Sequence, residues 1–393
     1  MHFALFYHSV RSDWNHGNAH FLRGLIRELQ QLGHTCMVYE PVSGWSLQNL
    51  LRDHGPAPLE AFARRFSFIQ WDTYDLDREA SHEVARRALR DADVCIVHEW
   101  TVDDPGQRIA LAHALIAEAA RRDVPVLYHD THYRAVEEPA YVRELPLERF
   151  SAVLAFGPSL ADVYRSMYGL RHVEVFHEAA DTALFRPVAP EQPPADVLFI
   201  GNWAGDDRSI ELQSYLLEPA RRLPELRFVV YGVRYPAEVV ARLTQEYGIE
   251  YRGWLPNADT PGAYAAAKVT LHVPRRQYAG WLYGIPTIRV FEALACGSCL
   301  VSTPWADVDG LFRRGLDFTT AWTPEHMCDL LAWLCHDACA RHGFGQRGRE
   351  TVLARHTCAH RARQLIAIID ALRRDGRRAD EPAGGPGVWS SVR

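Results

Sequence analysis

Gly284-Ile-Pro-Thr-Ile-Arg-Val-Phe-Glu-Ala-Leu-Ala-Cys-Gly-Ser-Cys-Leu-Val-Ser302 is the stretch whose reading decides the fold. Pro286 suits the first turn of a helix, where its missing N–H would be an orphan anyway, and Gly297 suits the end, where positive φ is needed. Between them Val290, Ala293, Leu294 and Gly297 recur at i, i+3, i+4, i+7 on one face, leaving Arg289 and Glu292 on others. An apolar strand, Cys299–Val301, follows at once. Loop, short helix and buried strand in this order set a free helix N-terminus at the carboxyl edge of a parallel sheet. Backbone N–H groups and the helix dipole favour a phosphate there. Glu292, further along the helix, is then within reach of a ribose.

The flanking sequence repeats that unit. Upstream of the stretch, strands are expected at Val197–Ile200, Arg227–Tyr231, Tyr251–Arg252 and Val269–Val273, with helices at Ser209–Arg222, Pro236–Tyr247 and Thr260–Ala267. Downstream, Pro324–Cys335 and His356–Arg373 read as helices that close the fold. The first half opens in the same way. Phe3–His8 is a strand, Ser9–Asn18 a polar loop, Ala19–Leu32 a helix with Phe21, Leu22, Leu25, Ile26 and Leu29 on one face, and Thr35–Tyr39 the next strand. Strands Val94–Val97, Val124–Tyr128 and Val153–Phe156 continue the series, with a helix at Gln107–Arg122. Repeated β-then-α units argue for open, mostly parallel sheets with helices on both faces. The proline-rich run Phe185–Asp196 has no periodicity and reads as a linker. The expected division is 1–184, linker 185–195, 196–355, a closing helix 356–374, and a Gly/Pro/Arg-rich tail 375–393.

Composition narrows the function. At 393 residues and 48% hydrophobic content, two domains of ordinary size each have enough apolar material for a core. A net charge of −6 supplies no basic field, so nucleic acid is not an expected partner. No apolar run reaches the length of a membrane helix and Met1–Val10 lacks the features of a signal peptide, so a soluble, cytoplasmic protein is expected. Lys268 is the only lysine, so a phosphate clamp must be built from arginine, histidine or helix termini. Eight cysteines include one C-x-x-C, Cys296 and Cys299, whose positions apolar packing explains. Asp75-Leu-Asp77, Asp91-Ala-Asp93 and Asp307-Val-Asp309 match the D-x-D of metal-dependent nucleotide-sugar enzymes. None follows a strand into the expected cleft, and no metal is expected.

Two Rossmann-like halves, a linker near residue 190, the run Phe291-Glu-Ala-Leu-Ala-Cys-Gly297 and the closing His356-Thr357…His360-Arg361 together resemble a GT-B glycosyltransferase. The CgeB-like (spore-maturation-type) subfamily is the nearest. The resemblance is strongest over Asp196–Ile369. In the first half the Ser12–Asn18 loop, Leu29–Val38 and Val124–Asp130 resemble retaining family 4 enzymes. The implied fold is α/β, two Rossmann-like domains facing a central cleft. The implied reaction moves a sugar from a nucleotide diphosphate donor, a UDP- or GDP-sugar, to an acceptor hydroxyl, without a metal or resident cofactor and with retention.

The resemblance also assigns residues. It puts Glu292 on the ribose and Arg208 over the diphosphate after Gly201-Asn202-Trp203; with no lysine to fill the companion role, a second arginine, Arg275, Arg276 or Arg289, is expected, with Thr287 and Ile288 at the helix start. Arg252, Gly253 and Trp254 stand where similar enzymes hold the base. His129 resembles the family 4 histidine near the donor sugar, and Asp130 pairs with it at a strand end. His98, Glu99 and Asp13 are further candidates on the acceptor side. Related retaining enzymes carry a glutamate at the position of Gly284, a departure that leaves inversion open. The acceptor is undefined, and two other readings share the fold: a nucleotide-sugar epimerase and a non-catalytic nucleotide- or glycan-binding protein.

Overall fold

The structure, a computed structural model, describes residues 1–190 and 194–380, with side chains described as far as residue 374. Two all-parallel sheets are formed. The first holds β1 (His2–Phe6), β2 (Thr35–Pro41), β3 (Gln70–Tyr74), β4 (Val94–His98), β5 (Val126–Asp130), β6 (Ala152–Ala155) and β7 (Val173–Val175) in the order β3-β2-β1-β4-β5-β6-β7. The second holds β8 (Ala195–Ile200), β9 (Phe228–Tyr231), β10 (Glu250–Tyr251), β11 (Ala267–His272), β12 (Leu300–Ser302) and β13 (Thr319–Thr320) in the order β10-β9-β8-β11-β12-β13. Both sheets are doubly wound. Strand order reverses between β1 and β4 in one and between β8 and β11 in the other, and ligands bind such folds in the crevice outside the carboxyl ends at that point.

The strands form because their apolar runs are buried on both faces. Phe3, Leu5, Val94, Leu127, Val197 and Val269 are fully enclosed. One apolar cluster joins the two halves. It runs from Phe21 and Leu22 of the helix Ala19–Gln31 to Val290, Phe291 and Leu294 of the helix Ile288–Ala295, and on to Cys358, Ala362 and Leu365 of the helix Cys358–Asp380. Each large side chain buried in it stabilises the closed arrangement by about 1.5–3 kcal/mol. The helix Cys358–Asp380 thus leaves the second domain and packs on the first, where Arg373 donates to the carbonyl of Asp93 at 2.9 Å.

Several boundaries differ from expectation, for physical reasons. The organising helix begins at Ile288, so Pro286 precedes it. Gly284 and Thr287 take φ of 77° and 61°, which no helix accepts. The run Ser209–Arg222 widens to a π turn at Gln213–Leu217, just before Pro219, whose nitrogen has no hydrogen to give. The short strands β3, β7 and β13 were not expected, nor were the helices Trp45–His54, Ala57–Arg65, Ser81–Ala88, Pro158–Met167 and Ala338–Arg355. The expected tail is helical to Asp380, and its remainder, 381–393, lies outside the described residues. The shift with most bearing on function is in β5. Its ladder runs on to pair His129 with Leu154 and Asp130 with Ala155, so both residues belong to the strand and not to the loop beyond it.

Candidate functional site

A cavity of about 930 Å³ opens between the domains where the two crevices meet. Its second-domain wall begins at the loop after β8. Gly201 and Gly232 approach so closely there that a Cβ on Gly232 would sit 2.0 Å from the Gly201 carbonyl oxygen, so only glycine fits. Arg208 follows. It is 9% exposed, its Nη1 donates to the Val273 carbonyl at 3.2 Å and its Nη2 to the Asn202 side chain at 2.6 Å, and its Nε has no partner among the described residues. No carboxylate pairs with it among those residues, and burial, then Arg275 and Arg289 with the same charge, lower it to about 10 against Tyr235. A guanidinium at that value is still charged at neutral pH. A buried cation of this kind, with two others near it, has the chemistry to pair with an anion.

Thr287, Ile288 and Arg289 bring the N-terminus of the Ile288–Ala295 helix to the same wall. The positive φ of Thr287 costs about 1–3 kcal/mol in a β-branched residue, and its hydroxyl is 3.2 Å from Nε2 of His272. His272 ends β11, touches Ser302 at 2.8 Å through Nδ1, and is driven down to about 3 by burial and Arg208. Arg275 meets Asp207 at 3.1 Å and also donates to Tyr133 of the first domain. At the far end Gly232, Val233, Arg234 and Trp254 line the wall, Trp254 packing at a tilt against His54 with ring centroids 4.5 Å apart.

The opposite wall is supplied by the loop after β1 and the ends of β4 and β5. Asp13, Asn15, His16 and Gly17 face the cavity with His8, His98, Glu99, Trp100, His132 and Arg134. Asp13 accepts from Arg23 at 3.1 Å and from the Asn257 N–H at 3.2 Å, and Asn202 donates to Asn15 at 2.8 Å, so this loop is tied directly to the other domain. Burial, together with neighbouring positive groups, keeps the imidazoles neutral. It lowers His16 to about 4, aided by Arg23, lowers His98 to about 3, aided by His16, and drives His8 and His132 well down. Trp100 is fixed by Arg108 and Arg134, 3.9 and 4.2 Å from its ring centre.

The expected residues therefore separate. Gly201, Asn202, Arg208, Arg275, Thr287, Ile288, Arg289, Trp254, His98 and Asp13 come together around one cavity. His129 and Asp130 do not, and their expected place at the cleft is corrected. His129 packs against Phe21, Phe176 and His98, and burial holds it well below its usual range. Asp130 accepts from Tyr164 at 2.5 Å and from the His132 N–H at 2.9 Å, which makes it a brace under the loop, while burial and Glu99 push its carboxyl up. Arg252 and Gly253 are also outside the lining. Arg252 is engaged by Glu250 at 2.7 Å and Tyr231 at 2.9 Å.

Glu292 needs a correction of its own, because it is fully buried. Its carboxylate accepts from Tyr264 at 2.9 Å and Arg289 at 2.5 Å and lies 2.9 Å from Nε2 of His20 on the first domain. Burial pulls its carboxyl up, and Arg289 with His20 outweighs that and holds it below the ordinary value. In this closed arrangement no ribose reaches it. Of the acidic pairs, Asp307 caps the Leu311 and Phe312 N–H groups, and Asp75 accepts from Asp77. The eight cysteines are free thiols.

Sequence reasoning missed His16, His132, Asp207, Arg234 and His272. His16-Gly17-Asn18 closes a loop already expected to face a ligand, and His272 ends a strand at the reversal of sheet order. Position alone marked both.

Comparison with known proteins places the architecture. The profile of a family described as glycosyl transferase-like matches residues 208–367. A glycosyltransferase from Rickettsia africae superposes with a TM-score of 0.64 at 12% identity, over 95% of this chain and 98% of that one. HepE from Anabaena, solved with UDP and glucose, gives 0.64 at 13% identity, over 94% and 99%. Sucrose-phosphate synthase from Thermosynechococcus elongatus gives 0.60 at 14%, over 97% and 100%. No curated protein sequence matches the chain. The fold is GT-B, two parallel-sheet Rossmann-like domains facing a cleft.

Proposed function

We propose that this chain is a glycosyltransferase that moves a sugar from a nucleotide diphosphate donor to an acceptor nucleophile held in the same cleft. The observation that carries the reading is the buried Arg208, a cation without a carboxylate partner among the described residues, set beside Arg275, Arg289 and the N-terminus at Thr287. Charge-assisted bonds to phosphate contribute about 1.5–3 kcal/mol each, so this wall supplies both donor affinity and stabilisation of the leaving diphosphate without a metal. The family profile over the same residues supports the donor assignment, and the UDP in the HepE structure favours a UDP-sugar. The Phe291–Gly297 and His356–Arg361 patterns support the CgeB-like subfamily. A cytoplasmic setting fits the finding that no helix among the described residues is long and apolar enough to cross a membrane.

Arg208 and Arg275 hold the phosphates, the helix start at Thr287–Arg289 donates backbone N–H groups, and Trp254 with Val233 flanks the base. Glu292 meets the ribose only after His20 draws away from it. The acceptor lies against His16, His98 and His132. None of these imidazoles is bonded to a carboxylate among the described residues, and Asp13 and Glu99 are paired with Arg23 and Arg134, which supports the departing phosphate as the proton acceptor and favours retention. Calorimetry with UDP, GDP, TDP, ADP and CMP tests the donor side, with UDP expected to bind and Arg208→Ala to weaken it. Binding of none of them would refute the reading. The anomer released from a UDP-sugar, read by NMR before mutarotation, tests retention.

A further inference from the structure

Among the described residues, Asp207 is the one carboxylate that the second domain contributes to the cavity lining, and nothing proposed above uses it. It stands next to Arg208 in a wall otherwise furnished with guanidiniums. The chain is bent to bring it there. Ala204 and Gly205, both in the lining, take φ of 60° and 50° in succession, a conformation alanine rarely adopts, and a single 3₁₀ turn, Gly205–Asp207, follows. Three donors then fix the carboxylate. Tyr133 of the first domain donates to Oδ2 at 2.8 Å, Arg275 to the same oxygen at 3.1 Å, and Gln277 to Oδ1 at 3.0 Å. Burial works against the charge, and Gln277, Tyr133 and Arg275 outweigh it, so the carboxyl is held below its ordinary value. A carboxylate has about four acceptor sites, two on each oxygen. These bonds use three of them, which leaves one on Oδ1, and the side chain is 31% exposed.

Building on the donor-site reading, we propose that Asp207 is a specificity-determining residue that accepts a hydrogen bond from a hydroxyl of the donor's sugar. A fixed negative charge cannot serve the diphosphate itself, which belongs to Arg208, Arg289 and the helix start at Thr287. Arg275 cancels the Asp207 charge, so the phosphates beside it are not repelled. What the remaining acceptor site suits is a neutral donor group. With the base at the Trp254 end and the phosphates in the middle of the wall, the sugar hydroxyls are the neutral donors that come next. A bond from a hydroxyl to a carboxylate is charge-assisted and about twice as strong as one between neutral groups. Tyr133 also sets where the sugar lies. Its ring stacks on His132 with centroids 4.1 Å apart, so a sugar on Asp207 sits against the acceptor wall, where transfer must occur.

UDP, UDP-glucose and UDP-galactose are the probes, in calorimetry of the full chain at pH 7. Asp207→Asn keeps the size of the side chain and an oxygen for Arg275 and Tyr133, and puts an NH₂ group at the Oδ1 site. It should weaken whichever UDP-hexose wild type binds more tightly by about fivefold to tenfold, while UDP stays within about threefold of wild type. Tyr133→Phe keeps the carboxylate and removes one of its bonds between the domains. Any loosening of the cleft in that variant should shift UDP and the UDP-hexose together, leaving their ratio as in wild type. Asp207→Asn changing UDP and UDP-hexose affinity by the same factor, or the two variants shifting the ratio alike, would reduce Asp207 to a clasp between the domains and overturn the proposal. Wild type binding UDP but neither UDP-hexose would overturn it as well. UDP failing to bind wild type would instead defeat the donor-site reading.

Discussion

The two domains meet the cleft at the same topological point, the reversal of strand order, yet line it with opposite chemistry. The second domain presents guanidiniums, Arg208, Arg234, Arg275 and Arg289. The first presents imidazoles, His8, His16, His98 and His132, interleaved with Asp13 and Glu99. Burial acts on the two groups differently. It lowers Arg208 to about 10, which leaves the charge intact, while it takes His16 to about 4 and His98 to about 3, which removes theirs. One wall therefore carries most of the fixed positive charge, and the other is a polar, aromatic surface of uncharged imidazoles set among the carboxylates of Asp13 and Glu99 and the guanidinium of Arg134. The first suits a diphosphate, and the second suits a hydroxyl-bearing acceptor that must approach it.

Acid breaks this contrast most severely. A histidine whose folded pKa is depressed binds its proton more weakly than in the unfolded chain, so stability is complete above about pH 6.5 and falls as pH drops toward the folded value. Each such group withdraws up to about 1.4 kcal/mol per pH unit over that window. The first domain holds His8, His16, His98, His129 and His132 in this state, the second chiefly His272 and His356, both lowered to about 3. Against a net stability of about 5–15 kcal/mol, the first domain should open between pH 6 and 5 while the second still holds. Hydrogen exchange compared at pH 7 and pH 5.5 should show β1, β4 and β5 losing protection before β8 and β11. The reverse order, or no loss by pH 5, would remove the contrast.

A smaller effect sharpens it. Arg208→Ala should weaken UDP binding about tenfold to a hundredfold and leave thermal stability unchanged or raised, since a buried cation without a carboxylate partner costs the empty protein. Arg252→Ala, its counterpart outside the cavity, should leave UDP affinity within twofold while releasing a half-exposed contact with Glu250 and a bond to the Tyr231 hydroxyl. Equal losses from both variants would mean that the positive wall has been misplaced.

The second domain was the more readable of the two, and particular residues show why. Thr287–Arg289 stand at a loop-to-helix junction that leaves a local signature, and the resemblance adds Arg208 after Gly201-Asn202 at a second such junction. In the first domain the sequence pattern ends the strand at Tyr128, which, with the resemblance of His129 to a family 4 histidine, points His129 and Asp130 to the cleft. Where a strand ends is set by the neighbour it pairs with, here Leu154 and Ala155, and that information lies far away in the chain. His16 and His132 carry no pattern that separates them from the other histidines. Glu292 was assigned from the resemblance, and its burial against His20 is a contact between domains that no local reading contains. The sheet order and the paired crevices, by contrast, follow from repeated β-then-α units alone.

The His20–Glu292 contact carries the smallest expected effect and joins the two walls. His20 Nε2 and the Glu292 carboxylate are 2.9 Å apart, and both side chains are fully enclosed. Their coupling, taken from a double-mutant cycle of His20→Ala and Glu292→Gln, should be about 1–2 kcal/mol in thermal or denaturant unfolding. If donor binding draws Glu292 away to the ribose, that coupling must be given up on binding. His20→Ala should then tighten UDP binding several-fold, while Glu292→Gln weakens it. A His20→Ala variant that binds UDP no better than wild type would mean that Glu292 stays with the first domain throughout, a lock between the walls with no part in holding the nucleotide.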